Sequence, residues 1–160
     1  MNENCLDRLL PHIDGLYTFA LLVRAEMEST RDYGGHELTM AETHTLILIA
    51  DHPGISLGGV ARMWNRTLGA ASRNVDKLSR MGYVTKDTAP GDRRTLRLTA
   101  TPEGAAIAAE HKAYDRRRVA EQMQALLGRH TGEEIWAFFE VMEDMIGLMK
   151  ERKEESDYGI

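Results

Sequence analysis

The chain has 160 residues, 42% of them hydrophobic, and a net charge of −5, enough chain to bury the core of one domain without staples. Its single Cys excludes an internal disulfide, and the lack of any run of eighteen apolar residues argues against a membrane span. The opening MNENCLDRLL has no basic segment leading into an apolar stretch, so a soluble, cytoplasmic protein is expected.

From Leu6 to Met27, apolar residues at Leu6, Leu9, Ile13, Leu16, Ala20, Val23 and Met27 alternate steps of three and four, the seam of a helix that pairs with another. Pro11 interrupts this seam and fits the first turn of the regular helix. Arg31 to Glu37, with Tyr33-Gly34-Gly35, reads as a connection. Thr39-Met40-Ala41-Glu42 is a capping box opening a second helix through Leu46, Ile47, Ile49 and Ala50, stopped by Asp51-His52-Pro53-Gly54. Ser56 caps a short third helix with Leu57, Val60, Ala61 and Met63 inward, and Trp64-Asn65-Arg66 turns the chain into a fourth.

That fourth helix, from Thr67, presses Leu68, Ala71, Val75 and Leu78 inward. Its other face carries Thr67, Gly69, Ala70, Ser72, Arg73, Asp76 and Lys77, small, hydroxylated and basic side chains that permit close approach by another molecule. Gly82 ends it. The period then changes to two: Tyr83 to Asp87 and Thr95 to Ala100 form a hairpin with Leu96, Leu98 and Ala100 on one side, and its tip is Ala89-Pro90-Gly91-Asp92-Arg93-Arg94. A small-faced helix followed by a basic-tipped hairpin is what a winged helix-turn-helix presents to the major groove and the neighbouring backbone or minor groove of DNA.

Thr101-Pro102-Glu103-Gly104 starts a fifth helix, expected to run to about Leu127. Thr131-Gly132-Glu133-Glu134 is a second capping box, opening a last helix with a seam of Ile135, Phe139, Met142, Ile146 and Met149. The fold class is therefore mainly α with a small β-hairpin. The expected division is a helical dimerisation region at 1–36 and 102–152, a winged helix-turn-helix at 37–101, and a frayed tail at 153–160, all one continuous domain. The two terminal seams point to a homodimer.

Charge is unevenly spread. Between Pro53 and Gly104 nine Lys and Arg face four acids, whereas the rest of the chain has eleven bases against twenty-one acids. A basic segment in an acidic chain is the footprint expected for double-stranded DNA. Arg116-Arg117-Arg118 reads as a solvated helix face.

The segment Thr67 to Gly104 resembles the MarR family of winged-helix regulators. The spacing of Asp92, Arg94, Leu98, Thr101 and Gly104 matches that family's wing, with Ala100 where the family has Leu. Leu68-Gly69-Ala70, Ser72-Arg73, Asp76, Leu78 and Gly82 are similar to its recognition helix. The resemblance spans about residues 6 to 150 and implies a homodimeric regulator, usually a repressor, released from a pseudo-palindromic operator by a small ligand. It also implies that the helix from Thr67 enters the major groove and that Arg94, braced by Asp92, enters the minor groove. Thr67, Gly69, Ala70, Ser72, Arg73, Lys77 and Arg93 complete the expected DNA contacts, Arg93 and Arg97 as backbone contacts.

Two effectors fit this reading, and no cofactor is required. Relatives bind small aromatic or anionic ligands, for which the lining here would be Tyr17, Leu21, Arg24, Ile47, Met63 and Trp64, apolar walls with one cation. The other is a metal ion. His111 and Asp115 share a helix face at a spacing suited to two ligands, and His44 and Glu26 can complete the set. In the zinc-sensing branch of the family Glu26, His44 and His111 hold matching positions; Asp115 stands where that branch has His, which lowers the expected zinc affinity.

Catalysis is not expected. Gly54-Ile55-Ser56-Leu57-Gly58 fits a nucleophile elbow in spelling, but a helix is expected before it and Ser56 is better used as an N-cap. Cys5 lies about ten residues before the position of the reactive Cys in the peroxide-sensing branch, beside Glu3 and Asp7, which disfavour a thiolate.

Overall fold

The computed structural model describes residues 7–89 and 92–158, and the side chains of 7–88 and 96–152. Its contacts divide the chain into two units, Met1–Lys112 and Ala113–Ile160. Leu10–His12 forms a 3-10 turn with Pro11 in its first positions, leading into helix α1, Ile13–Glu28. Two short strands follow, β1 Thr30–Asp32 and β2 Glu37–Thr39, then α2 Met40–Asp51. Next come β3 Ile55–Ser56, α3 Leu57–Met63 and α4 Leu68–Arg80. Strands β4 Val84–Ala89 and β5 Asp92–Ala100 lead to α5 Pro102–Leu127 and α6 Gly132–Tyr158.

The stretch read from sequence as a connection is a hairpin. Strands β1 and β2 pair antiparallel, and the intervening Gly34 and Gly35 take φ of 64° and 92°, the left-handed pair that a tight two-residue hairpin turn requires. Tyr33 and His36 close it with reciprocal backbone hydrogen bonds of 3.0 and 3.4 Å. The second sheet has order β3-β5-β4: besides the expected hairpin it contains β3, with Ile55 opposite Leu98. A strand therefore precedes the Ser56 helix, contrary to the sequence reading, although Ser56 itself serves as N-cap, accepting from Gly59 N–H at 3.0 Å.

The expected caps form. Thr39 and Glu42 make both halves of a capping box. Thr101 Oγ1 accepts from Gly104 N–H at 3.1 Å and Thr131 Oγ1 from Glu134 N–H at 3.2 Å; Thr67, expected only as part of the outward face, also caps its helix, its Oγ1 accepting from Ala70 N–H at 3.2 Å. Glu134 accepts in return from the backbone N–H of Thr131, which holds its carboxyl below the usual range. Helix α4 ends in a Schellman motif: Gly82 has φ 80° and the Tyr83 N–H reaches Leu78 O at 2.9 Å. The turn between α3 and α4 repeats that geometry with Asn65 at φ 48°, Arg66 N–H reaching Ala61 O at 2.9 Å.

The core of the first unit gathers Leu38, Leu46, Ile49, Val60, Ala71, Val75, Leu78, Tyr83, Val84, Leu98, Ile107 and Ala108. Three expected inward residues are not in it. Met63 and Leu68 are each 58% exposed, and Leu96 is exposed on the hairpin. Met63 ends α3 and Leu68 begins α4, where the helices run out past the core; Leu96 lies beyond the short β3 that covers Leu98. The first unit also exposes Ile13, Leu16, Leu21, Leu22 and Val23 along α1, where no residue is buried. In the second unit, the remainder of α5 and helix α6, no described residue from Ala113 to Arg152 is buried, and Trp136, Phe138, Val141, Met145, Ile146 and Met149 stand exposed.

Candidate nucleic-acid interface and metal-donor cluster

Helix α4 carries the most amphipathic pattern of the chain: Ala71, Val75 and Leu78 are buried while Gly69 and Arg73 face outward. Burial of three apolar side chains on one face fixes the rotation of the helix about its axis and so decides which residues project. Arg73 is exposed, with no ion-pair partner among the described residues, and its guanidinium lies over Gly69. Ala70 is half-buried beside it, and Thr67 uses its hydroxyl for the cap.

The other polar residues of α4 hold the helix in place. Ser72 Oγ donates to Asp76 at 3.1 Å, and Asp76 also pairs with Lys86 of β4. These hydrogen bonds, Lys86 first and Ser72 second, keep the Asp76 carboxyl below its ordinary pKa. Lys77 Nζ lies 2.6 Å from Glu42 of α2 and 3.4 Å from Glu37 O, turned back toward the body of the unit. Asn74 donates to Thr45 of α2 at 3.3 Å. Sequence spacing put Asp76 and Lys77 on the outward face. The structure uses both as struts, because long side chains at the edge of a face can reach neighbours that spacing does not reveal.

Asp92 opens β5 beside the hairpin turn, but the side chains of Asp92, Arg93 and Arg94 lie outside the described residues. Arg97 is exposed, with its guanidinium against Gly54.

The residues expected to line a ligand site are spread over different environments. Tyr17 and Leu21 are 61% and 65% exposed on α1, and Arg24 pairs with Glu28 one turn on, at 3.1 Å. Ile47 and Trp64 pack against the core, whereas Met63 is exposed. The indole N–H of Trp64 is buried with no hydrogen-bond partner among the described residues.

Two of the four expected metal donors, His44 and His111, come together within the first unit. His44 and His111 each offer a ligand atom, within 4.8 Å of one another. His111 and Asp115 are one turn apart on the uninterrupted helix α5, which sets their common face. The His44 and His111 rings meet edge to face, centroids 5.2 Å apart, and Trp64 packs edge to face on His44 at 5.6 Å. His111 is fully buried and its Nδ1 is hydrogen-bonded to the hydroxyl of Tyr33. Two imidazoles are donors that suit zinc or another borderline divalent ion. Glu26 is outside this group. Tyr33 was missed in the sequence, where the one available signal was the Gly-Gly turn that follows it.

A three-stranded sheet with a two-stranded wing, a capped helix pair meeting at a Schellman turn, and an outward basic helix face define a winged helix-turn-helix protein. Residues 36–95 match the model of the MarR family. The fold is similar to that of Streptococcus pneumoniae FabT, solved in complex with DNA, with a TM-score of 0.67 and 20% identity over 91% of this chain and 98% of that one. It is similar to the transcriptional regulator SlyA, with a TM-score of 0.68 and 19% identity over 91% and 96%. The zinc-responsive MarR family member ZitR of Lactococcus lactis gives 0.61 and 18% over 92% and 98%. No curated protein matches the sequence. The likeness to the MarR family therefore rests on residues 36–95, and the solved structures show the same fold over most of the chain.

Proposed function

We propose that this protein is a DNA-binding transcriptional regulator, a homodimeric repressor that sits on a pseudo-palindromic operator and leaves it when a small ligand binds. The observation that carries the reading is helix α4, whose buried stripe and two struts leave Gly69, Ala70 and Arg73 on an open face. Small residues let the helix backbone approach the groove, and Arg73 supplies a bidentate donor for a guanine edge or a phosphate. Arg94 would enter the minor groove, with Asp92 beside it. The exposed apolar stripes of α1 and α6 support dimerisation, since apolar surfaces of that extent on a monomer mark an interaction site. Two recognition helices about one DNA turn apart would then read the two half-sites.

The test is a titration of the protein into fluorescent duplex from its own upstream region at two salt concentrations. Tight binding that weakens steeply with salt is the expected result, because phosphate contacts release counterions. A protein-interaction module that kept the fold and lost DNA binding would show no such affinity. Arg94→Ala should weaken binding strongly, and unchanged affinity would remove the wing from the interface. Sedimentation at micromolar concentration tests the dimer.

A metal effector is the second reading, favoured by the meeting of His44 and His111. Zinc bound there would draw α2 and α5 together through His44 and His111, and DNA affinity would change when zinc is replaced by a chelator. DNA binding indifferent to both would favour a small aromatic or anionic ligand.

A further inference from the structure

We infer that Tyr33 is a positioning residue for the metal-donor group, setting which nitrogen of His111 faces the ion. The inference rests on the metal reading given above. His111 is fully buried on α5, and its Nδ1 meets the hydroxyl of Tyr33, itself buried. The Tyr33 and His111 ring centroids are 5.9 Å apart, tilted at 57°.

An imidazole binds a metal through a nitrogen that has no proton, and the proton then resides on the other nitrogen. With Nδ1 facing Tyr33, the arrangement that leaves a lone pair on Nε2 is Nδ1–H donating to the phenol oxygen. Tyr33 thus does for His111 what carboxylates and backbone carbonyls do for most metal-binding histidines: it fixes the tautomer and the ring plane and raises the basicity of the ligating nitrogen.

The hairpin makes Tyr33 a rigid support. Its backbone N–H and C=O are both used, with His36, across the Gly34-Gly35 turn, and Asp32 accepts from Gly35 N–H at 2.7 Å. The strand that leaves this turn, β2, runs directly into the Thr39 capping box of α2, the helix that carries His44. The support for His111 and the backbone leading to His44 are therefore one short covalent unit of about a dozen residues, Tyr33 to His44. A donor group built this way has less freedom to lose when an ion binds.

The experiment uses the full chain, wild type, His44→Ala and Tyr33→Phe, each titrated with zinc against a chromophoric chelator and with cobalt(II) followed by its visible spectrum. Phe keeps the ring and removes only the oxygen, and circular dichroism of the metal-free proteins checks that each is folded. The expected result is that wild type binds, His44→Ala abolishes binding, and Tyr33→Phe weakens it about 10–100-fold with an altered cobalt spectrum, the usual effect of losing an outer-sphere partner. Tyr33→Phe matching wild type in both affinity and spectrum would overturn the positioning role while leaving the metal site standing. Wild type that fails to bind, or His44→Ala that binds as well as wild type, would overturn the metal reading itself and the role of Tyr33 with it.

Discussion

Glu42 of α2 joins Lys77 of α4 at 2.6 Å with the same carboxylate oxygen that accepts the Thr39 N–H at 2.9 Å to close its capping box. One carboxylate thus ties the start of α2, the β2 strand before it and helix α4 together. Lys77→Met keeps the apolar stem and removes the charge. It should destabilise the protein by about 1–2 kcal/mol, the range for a part-buried hydrogen bond to a charged group. Urea unfolding measures this, and a change below about 0.3 kcal/mol would show that the strut is slack.

Arg73 and Lys77 are separated by one turn yet should behave oppositely toward DNA. Arg73→Ala should cost about 1–3 kcal/mol of binding or reduce the salt slope by about one, depending on whether the side chain meets a base or a phosphate. Lys77→Met should leave the slope unchanged at temperatures where the protein is folded. Equal losses for both would mean that Lys77 exchanges Glu42 for phosphate when DNA binds.

Gly104 packs on the backbone of Tyr83, and a Cβ there would lie 2.2 Å from Tyr83 O. Gly104→Ala must push α5 away from the start of β4, at a cost of about 2–4 kcal/mol by the measure of overpacked cores. A clear fall in thermal midpoint is expected, and an unshifted midpoint would mean that the helix start is free to move.

The Tyr83 hydroxyl is buried with no hydrogen-bond partner among the described residues, and burial, with Glu103 nearby, raises its pKa. The folded state therefore holds the neutral phenol more tightly than the unfolded chain does. Stability is intact below the unfolded pKa of about 10 and falls above it as the unfolded phenol ionises. Tyr83→Phe should be neutral or slightly stabilising at pH 7, because it removes an unsatisfied group without opening a cavity, and should flatten that alkaline decline. Marked destabilisation at neutral pH would mean that the hydroxyl has a partner, such as a buried water.

The sign is opposite for Asp76, whose pKa is lowered first by the Lys86 hydrogen bond and then by Ser72. Its contribution is present above the unfolded pKa near 4 and is lost as pH falls through the lowered value. Asp76→Asn should lessen the dependence of stability on pH below about 4, which acid unfolding of the two proteins would compare directly.

Local rules carried much of the architecture. Caps at Thr39, Ser56, Thr101 and Thr131 and the left-handed Gly82 are decided by hydrogen bonds within a few residues, so spacing alone located the helices, and Pro102 to Leu127 fell where expected. The wing hairpin was legible from its period of two. The β1–β2 hairpin and β3 were not, because strands of two or three residues are too short to display a period and exist through pairing across the chain. The pairing of His111 with Asp115 followed from one turn of helix, whereas its meeting with His44, 67 positions earlier, rested on a resemblance.

By itself the sequence determined which segments are helical and where they begin, which stripe of α4 is buried, and that positive charge gathers in the segment around it, although α6 continues to Tyr158 through residues expected to fray. These depend on neighbours three or four residues apart. Only the tertiary structure decided that Met63 and Leu68 are exposed, that Asp76 and Lys77 are braces while Arg73 faces outward, and that Tyr33 stands behind His111. Each of those depends on what a side chain meets from a distant part of the chain, and no local period encodes that meeting.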